Sequence, residues 1–439
     1  MTPGARAQTA IELLDELPAD RPADQYLSRY FRSHRFIGAK DRRAIAQLVY
    51  DVLRRRAQLD WWVANGENGD AAAAENRPRV IAALTLIEQW DADAIVGAFD
   101  GGQYRPEPLS DHETAVLGRI GANGTGLDAP GQSDDVRSNY PAWLQAELQA
   151  SLGGDLTREM AALLEPAPVD LRVNRLKGSR GQAVDLLAEE GVETAPTPRS
   201  PDGLRLTERR TLPTLKAFND GLVEVQDEGS QLAALLVDAR PGHRVADYCA
   251  GGGGKTLAMA ATMRNQGRII ACDTDERRLA AIGPRLGRAG VTIAVGALLD
   301  EGGQGEGLDA NSFDRVLVDA PCSGTGAWRR SPDAKWRLTE EQLAAEFARQ
   351  REILAVAADL PKQGGGRLVY VTCSLLRAEN EAQIEWFLAA RPDYALIPMG
   401  DIWAETVGGA APGVDDTLRL SPARTGTDGF FVAVLERKP

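Results

Sequence analysis

An ionised cysteine is the most reactive nucleophile a protein holds near neutral pH. Two of the four cysteines in this chain stand where such chemistry could be organised. The run Val316-Leu-Val-Asp319-Ala-Pro-Cys322-Ser-Gly-Thr-Gly326 and the run Val369-Tyr-Val-Thr372-Cys373-Ser374 each read as a short apolar strand with a cysteine just past its carboxyl end. Cys249 and Cys272 read instead as small packed side chains, the common fate of a lone cysteine. A third stretch, Val245-Ala-Asp247-Tyr-Cys-Ala-Gly251-Gly-Gly-Gly254-Lys255-Thr256, joins a strand to a helix through four consecutive glycines. Glycines there let the backbone take positive φ and approach a ligand closely.

The ligand class follows from the acids around that turn. Asp273 closes the next strand, 26 residues after Asp247, where a carboxylate can accept hydrogen bonds from ribose hydroxyls. Gly254-Lys255-Thr256 imitates a phosphate loop, but that loop needs a glycine at position 249, which is cysteine. A dinucleotide is disfavoured because Asp247 would face its pyrophosphate. An acid suits a cation, and S-adenosylmethionine carries both a sulfonium and an amino group.

The elements that must position these residues alternate. From about Gly221, apolar runs at 244–248, 268–272, 291–295, 315–318 and 367–371 alternate with helical patterns at 257–264, 275–288 and 343–360. This predicts βαβ units and a parallel-rich sheet, with 430–435 as an added edge strand. The N-terminal part reads helical, with Ile45, Leu48, Val49, Val52 and Leu53 on one helix face. Gly118 to Ser138, containing Gly121, Gly124, Gly126 and Gly131, reads as a linker. The piece after Tyr140 reads as mixed α and β, with a strand near Leu171–Lys177. The division predicted is 1–125, 138–218 and 219–439, in keeping with a length of 439 residues.

Composition sets limits. The net charge of −13 argues against sequence-blind nucleic-acid binding, yet the charge is uneven. Residues 29–56 hold nine Lys or Arg against two Asp, and 329–337 four bases against one acid. Such patches could be solvated helix faces or a local phosphate-binding groove. No run of about 18 apolar residues is present, so no transmembrane helix is expected. Residues 1–17 do not read as a secretory signal. Four scattered cysteines fit a reducing cytoplasm, and three histidines without a Cys-x-x-Cys pair make a metal site unexpected.

Taken together, Asp319-Ala-Pro-Cys322-Ser-Gly-Thr-Gly326, Arg330-Ser-Pro332-Asp333-Ala-Lys335-Trp336 and Thr372-Cys373-Ser374 resemble the RNA 5-methylcytosine methyltransferases. The glycine turn resembles their cofactor loop. Val225-Gln-Asp-Glu-Gly-Ser-Gln231 and Gly426-Thr-Asp-Gly-Phe-Phe431 resemble flanking motifs, and the basic helix Lys40 to Arg56 resembles the NusB-like domain of the bacterial RsmB (Sun/Fmu) branch. The resemblance implies a Rossmann-like S-adenosylmethionine methyltransferase domain, preceded by a small α+β domain and an all-α NusB-like domain. It implies methyl transfer to carbon 5 of a cytosine in RNA, with small-subunit ribosomal RNA as substrate. Cys373 would be the nucleophile on carbon 6 and Cys322 would serve product release. Asp319 would orient the base or the cofactor, and Lys255 would face the cofactor or the reacting base. The cofactor set implied is Cys249, Ala250, Gly251, Gly252, Gly253, Gly254, Lys255, Asp273, Arg278 and Asp319. RNA would be held by Arg42, Arg43, Arg54, Arg55, Arg175, Arg329, Arg330 and Lys335, with Arg172 and Lys177 nearby. A monomer without metal or membrane attachment is expected.

Two positions depart from that pattern. Gly251-Gly252 replace Ala-Pro in the turn, and Gly296-Ala297 stands where Gly-Asp is usual, with Asp300 three residues on. Both lead one to expect weaker cofactor binding. They keep a second reading open, a non-catalytic RNA-binding assembly factor on a degenerate methyltransferase fold. A nucleotide hydrolase built on Gly254-Lys255-Thr256 is a third.

Overall fold

A computed structural model describes residues 1–64, 75–123, 126–413 and 415–439. Its chain forms two compact units, one of residues 1–165 with 328–339, the other of 166–327 with 340–439.

The first unit is helical. The helix Ala39–Arg54 buries Ile45, Leu48, Val49, Val52 and Leu53, the stripe that the spacing predicts. They pack with the helices Pro3–Asp15, Arg56–Val63 and Asn76–Leu86 into one apolar core. The expected linker is partly helix. Asp111–Asn123 runs through Gly118 and Gly121, because burial of Val116, Leu117 and Ile120 offsets the roughly 1 kcal/mol each helical glycine costs. Asp134–Ser138 forms a further short helix. Gly124 lies outside the described residues.

Residues 328–339 close this unit. A helix ends with carbonyls that lack partners within it. At the end of Ala39–Arg54, Trp336 Nε1 donates to Leu53 O at 2.6 Å and Lys335 Nζ to Arg54 O at 3.0 Å. Arg54 Nη1 returns a bond to Arg329 O at 3.1 Å, and Asp333 accepts from the Ala23 amide at 3.2 Å.

The second unit holds two sheets. The smaller, β1 (Asp170–Val173), β2 (Thr194–Pro196), β3 (Gly203–Leu206) and β4 (Val223–Val225), runs antiparallel in the order β2-β3-β1-β4. The helix Arg180–Glu189, opened by a Ser179/Gln182 capping box, belongs with it. The larger sheet comprises β5 (Arg244–Asp247), β6 (Arg268–Asp273), β7 (Ala294–Leu298), β8 (Arg315–Asp319), β9 (Arg367–Thr372), β10 (Tyr394–Leu396), β11 (Leu418–Leu420) and β12 (Phe430–Arg437). Its order is β10-β12-β9-β8-β5-β6-β7, with β11 also on β12. From β9 to β7 the strands are parallel; β12 and β10 are antiparallel additions.

This is a Rossmann-like sheet with a mixed strand pattern. The chain winds from β5 through β6 to β7, then returns to the other side of β5 as β8. The crevice at that reversal is where open α/β sheets bind ligands. Two strand expectations need correction. The 430–435 run is no edge strand, since β12 lies between β9 and β10; its Phe430–Leu435 side chains are all buried, as a continuous apolar run requires. The strand expected at 291–295 lies at Ala294–Leu298, because Gly290 takes a left-handed cap and Val291 packs in the core beneath it.

Candidate active site

The glycine turn leaves β5 and enters the helix Gly254–Thr262. Gly251 and Gly253 sit at φ of 54° and 77°, a region that L side chains resist. The Gly251 amide donates to Asp273 Oδ2 at 2.9 Å, and Asp273 Oδ1 accepts from the Asp275 amide at 2.9 Å. The end of β6 therefore holds the turn of β5. Arg285 adds a bond to Gly252 O.

Asp247 is fully buried, and Thr256 Oγ1 donates to its Oδ2 at 2.6 Å. Burial lifts its pKa to about 6, against the pull of Thr256 and with a push from Asp319. The side chain lies beneath the turn, and its Oδ1 is buried without a hydrogen-bond partner among the described residues.

Beside the turn lies a cavity of about 440 Å³, lined by residues that include Tyr248, Cys249, Asp273, Arg278, Leu299, Asp300, Asp319 and Ile353. That volume lies in the range of cofactor sites, about 300–1,000 Å³. Asp273 offers a carboxylate at one wall, and Leu299 and Ile353 offer apolar surface for a flat base. Asp300, past the end of β7, lines this cavity, whereas Gly296 and Ala297 lie within the strand. Its Oδ1 accepts from the Gly302 and Gln304 amides, both at 2.9 Å. The Cys249 thiol is pushed up by burial and by Asp319, Asp247 and Asp273, so it is a poor nucleophile.

Lys255 and Asp319 meet at 2.6 Å. Burial works to lower the lysine pKa, but Asp319, then Asp247 and Cys373, outweigh it and leave it raised. The ammonium also lies 5.4 Å from the Phe430 ring centre.

Cys322 and Cys373 come together from the ends of neighbouring strands β8 and β9, their Sγ atoms 3.5 Å apart. Their loops are stitched to each other. Gly326 N donates to Cys373 O at 3.0 Å, Leu375 N to Thr325 Oγ1 at 2.8 Å, and Gly429 N to Gly326 O at 2.9 Å. A Cβ on Gly326 would meet the Gly429 backbone at 2.5 Å, which explains why both are glycine. The hydrogen bond to Cys373, then burial, push the Cys322 thiol well up, with the charges of Cys373 and Glu379 adding to it.

The basic residues separate into exposed and interior groups. Arg43 and Arg175 are exposed, though Arg175 pairs with Asp202 at 3.1 Å. Arg330 is half-buried. Arg42 is half-buried and donates to Ile37 O at 2.7 Å, and Arg55, also half-buried, has its pKa lowered by burial. Arg54, Arg329 and Lys335 are 8%, 6% and 3% exposed. Lys335 donates to the helix-end carbonyl of Arg54, and Arg54 donates to the carbonyl of Arg329, so these residues stand inside the unit rather than on its exposed face. Arg172 is likewise interior, bonded to Gln226 at 2.6 Å.

The profile of the 16S rRNA methyltransferase RsmB/F family matches residues 234–436. That of the ferredoxin-like domain of RsmF/B-like methyltransferases matches 140–212. The probable ribosomal RNA small subunit methyltransferase B of Synechocystis sp. is 33% identical, covering 99% of each chain. The Bacillus subtilis counterpart, also described as probable, is 30% identical over 98% of each. The chain belongs to the RsmB/F family of 16S rRNA methyltransferases. The crystal structure of PH0851 superposes over 100% of this chain and 99% of that one, at 26% identity and a TM-score of 0.77. Family membership brings S-adenosylmethionine as cofactor and RNA as substrate, and the 440 Å³ cavity with its acids and apolar wall fits that cofactor.

Sequence reasoning missed several residues that support this RsmB/F site from behind. Tyr248 gives its hydroxyl to Gly303 O at 2.5 Å and so fixes the loop after β7. Thr256 holds Asp247. Gln350 and Glu379, both 0% exposed, lie beneath Cys322. Position after Thr372-Cys373-Ser374 was the one signal for Glu379, and nothing in the sequence marked it as buried.

Proposed function

We propose that this chain methylates carbon 5 of a cytosine in small-subunit ribosomal RNA through a covalent enzyme–RNA adduct. The observation that carries the reading is the pair of thiols 3.5 Å apart at the rim that also bears Lys255 and Asp319. Bound S-adenosylmethionine supplies an electrophilic methyl group on its sulfonium. Cys373 as thiolate adds to carbon 6 of the base, and the new carbon–sulfur bond makes carbon 5 enamine-like. After methylation the carbon 5 proton leaves to Cys322 or to water, the carbon 6–sulfur bond breaks, and the thiolate of Cys373 is regenerated. A Cys322 thiol held protonated favours water for that proton and leaves Cys322 the part of product release. Asp319 accepts hydrogen bonds only, which selects the exocyclic amine of cytosine over the carbonyl of uracil. Lys255 orients that carboxylate.

The cofactor is held by the backbone of 249–254, by Asp273 and by Arg278. Asp300 supplies the carboxylate that Ala297 lacks. The target base leaves its stack to reach the thiols, which favours single-stranded RNA. Flanking phosphates fall to Arg42, Arg43, Arg55, Arg175 and Arg330. In this reading 1–125 is a NusB-like RNA-binding domain, 138–218 a ferredoxin-like linking domain, and 219–439 the methyltransferase, acting as a monomer in the cytoplasm.

The assembly-factor reading would draw on the Ala297 departure, and Asp300 in the cavity wall weakens it. Small-subunit ribosomal RNA from cells lacking the gene, incubated with purified protein and labelled S-adenosylmethionine, tests the choice. Label recovered as 5-methylcytosine supports the proposal. RNA binding without methyl transfer would favour the assembly factor.

A further inference from the structure

The loop that carries Cys322 is held from below by two side chains that no reading of the reaction has used. Glu379 is fully buried and follows the Cys373 loop. Its Oε1 accepts from the Ser323 amide at 2.7 Å, and its Oε2 accepts from the Ser323 hydroxyl at 2.5 Å. Gln350, on the helix Glu340–Ala357, reaches the same place. Its Nε2 donates to Pro321 O at 3.0 Å and to Glu379 Oε1 at 3.1 Å. The residues immediately before and after Cys322 are thus both anchored, one through Gln350 and the other through Glu379.

The backbone that carries this side chain is itself fixed. Tyr370 Oη, from β9, donates to Glu379 O at 2.7 Å. The next residue, Asn380, accepts from Thr372 Oγ1 at 2.6 Å and donates to Ser374 O at 2.9 Å. Asn380 therefore holds both neighbours of Cys373, while the Glu379 side chain holds the loop of Cys322. A buried carboxylate is costly unless such donors surround it, and a neutral side chain would hold a loop at lower cost. The charge has a use beyond anchoring: a negative group beside Cys322 disfavours its thiolate.

We infer that Glu379 is a positioning residue for the second half of the reaction, holding the Cys322 thiol beside Cys373 so that the adduct can be resolved. The inference rests on the covalent reading above and assigns Glu379 no contact with substrate. It separates the two halves of the cycle. Adduct formation needs Cys373 and the cofactor, and adduct breakdown needs Cys322 in place.

The test is single-turnover kinetics of full-length Glu379→Gln and Ser323→Ala on small-subunit ribosomal RNA, with the adduct resolved by denaturing gel and the methyl group by label. Loss of hydrogen bonds to a buried charge is expected to slow adduct breakdown roughly 10- to 100-fold in Glu379→Gln. Methyl transfer and S-adenosylmethionine affinity should change less than about threefold. Ser323→Ala, which removes one small group and keeps the amide bond, should give a lesser effect of the same kind. The pH profile of breakdown adds a readout that a purely structural defect would not move: without the carboxylate it should shift to lower pH. Equal slowing of methyl transfer and breakdown, or an unshifted profile, would overturn the inference. If Glu379→Gln does not fold, Ser323→Ala decides by the rate split. Wild-type protein that methylates without any trapped adduct would instead defeat the covalent reading itself.

Discussion

Replacing Lys255 with Met and Asp319 with Asn, singly and together, probes the pair at the heart of the site. At 2.6 Å, Coulomb's law gives about 6 kcal/mol for an effective dielectric of about 20 and about 1.6 kcal/mol in bulk water. The Lys255 side chain is 9% exposed and that of Asp319 31%, so the pair lies between these limits. A coupling of about 2–4 kcal/mol follows, since part of the attraction is spent on removing both ions from water. Lys255→Met alone should be more destabilising than the double variant, because it strands a carboxylate beside buried Asp247. Urea unfolding of the four proteins at 0.15 M salt measures this. A coupling below about 0.5 kcal/mol, the level of an exposed ion pair, would refute the argument that the site organises its charges by desolvation.

Asp300→Ala should weaken S-adenosylmethionine binding about tenfold, about 1.4 kcal/mol, with little change in melting temperature because Asp300 is exposed at the cavity wall; an unchanged Kd by titration calorimetry would remove it from the cofactor set. Lys335→Met should leave RNA affinity unchanged, whereas Arg43→Ala should weaken it and flatten its salt dependence. Burial holds the Lys335 pKa well below its usual value, with Arg54 and Arg55 adding to the effect. The unfolded chain then binds a proton that the folded chain gives up, so the stability this group contributes is full above the unfolded pKa and lost as pH falls through the folded one. The stability of wild type relative to Lys335→Met should therefore rise from neutral pH towards pH 10. A pH-independent difference in urea unfolding would count against it.

The larger sheet was legible because its strands carry their own punctuation. Asp247, Asp273, Asp319 and Thr372 each end a strand, and the cysteines that follow share a rim once the strands are parallel. Period and turn chemistry are local, so the helix face of Ile45 to Leu53 and the glycine turn could be read without the fold. What could not be read was the partner of each charged side chain. Lys335 and Arg54 look like phosphate ligands in a basic run, yet the unpaired carbonyls at a helix end take Lys335, and Arg54 in turn binds the strap. Asp247 looks like a ligand acid, yet Thr256 turns it inward. β12 comes near the end of the chain yet lies between β9 and β10, since order along the chain does not set order in a sheet. Glu379 and Gln350 were invisible for a related reason, since a buried carboxylate and a surface one have the same letter. Asp300 reaches the cavity wall because β7 runs to Leu298, three residues past the apolar pattern at 291–295.

The central claim is that Cys373 forms the bond to RNA and Cys322 releases it. Wild type, Cys373→Ala and Cys322→Ala should be compared with small-subunit ribosomal RNA and labelled S-adenosylmethionine on a denaturing gel. The account predicts no methyl transfer and no adduct from Cys373→Ala, and a protein–RNA adduct carrying the label that accumulates in Cys322→Ala. Full methyl transfer by Cys373→Ala, or an adduct that depends on Cys322 instead, would contradict it.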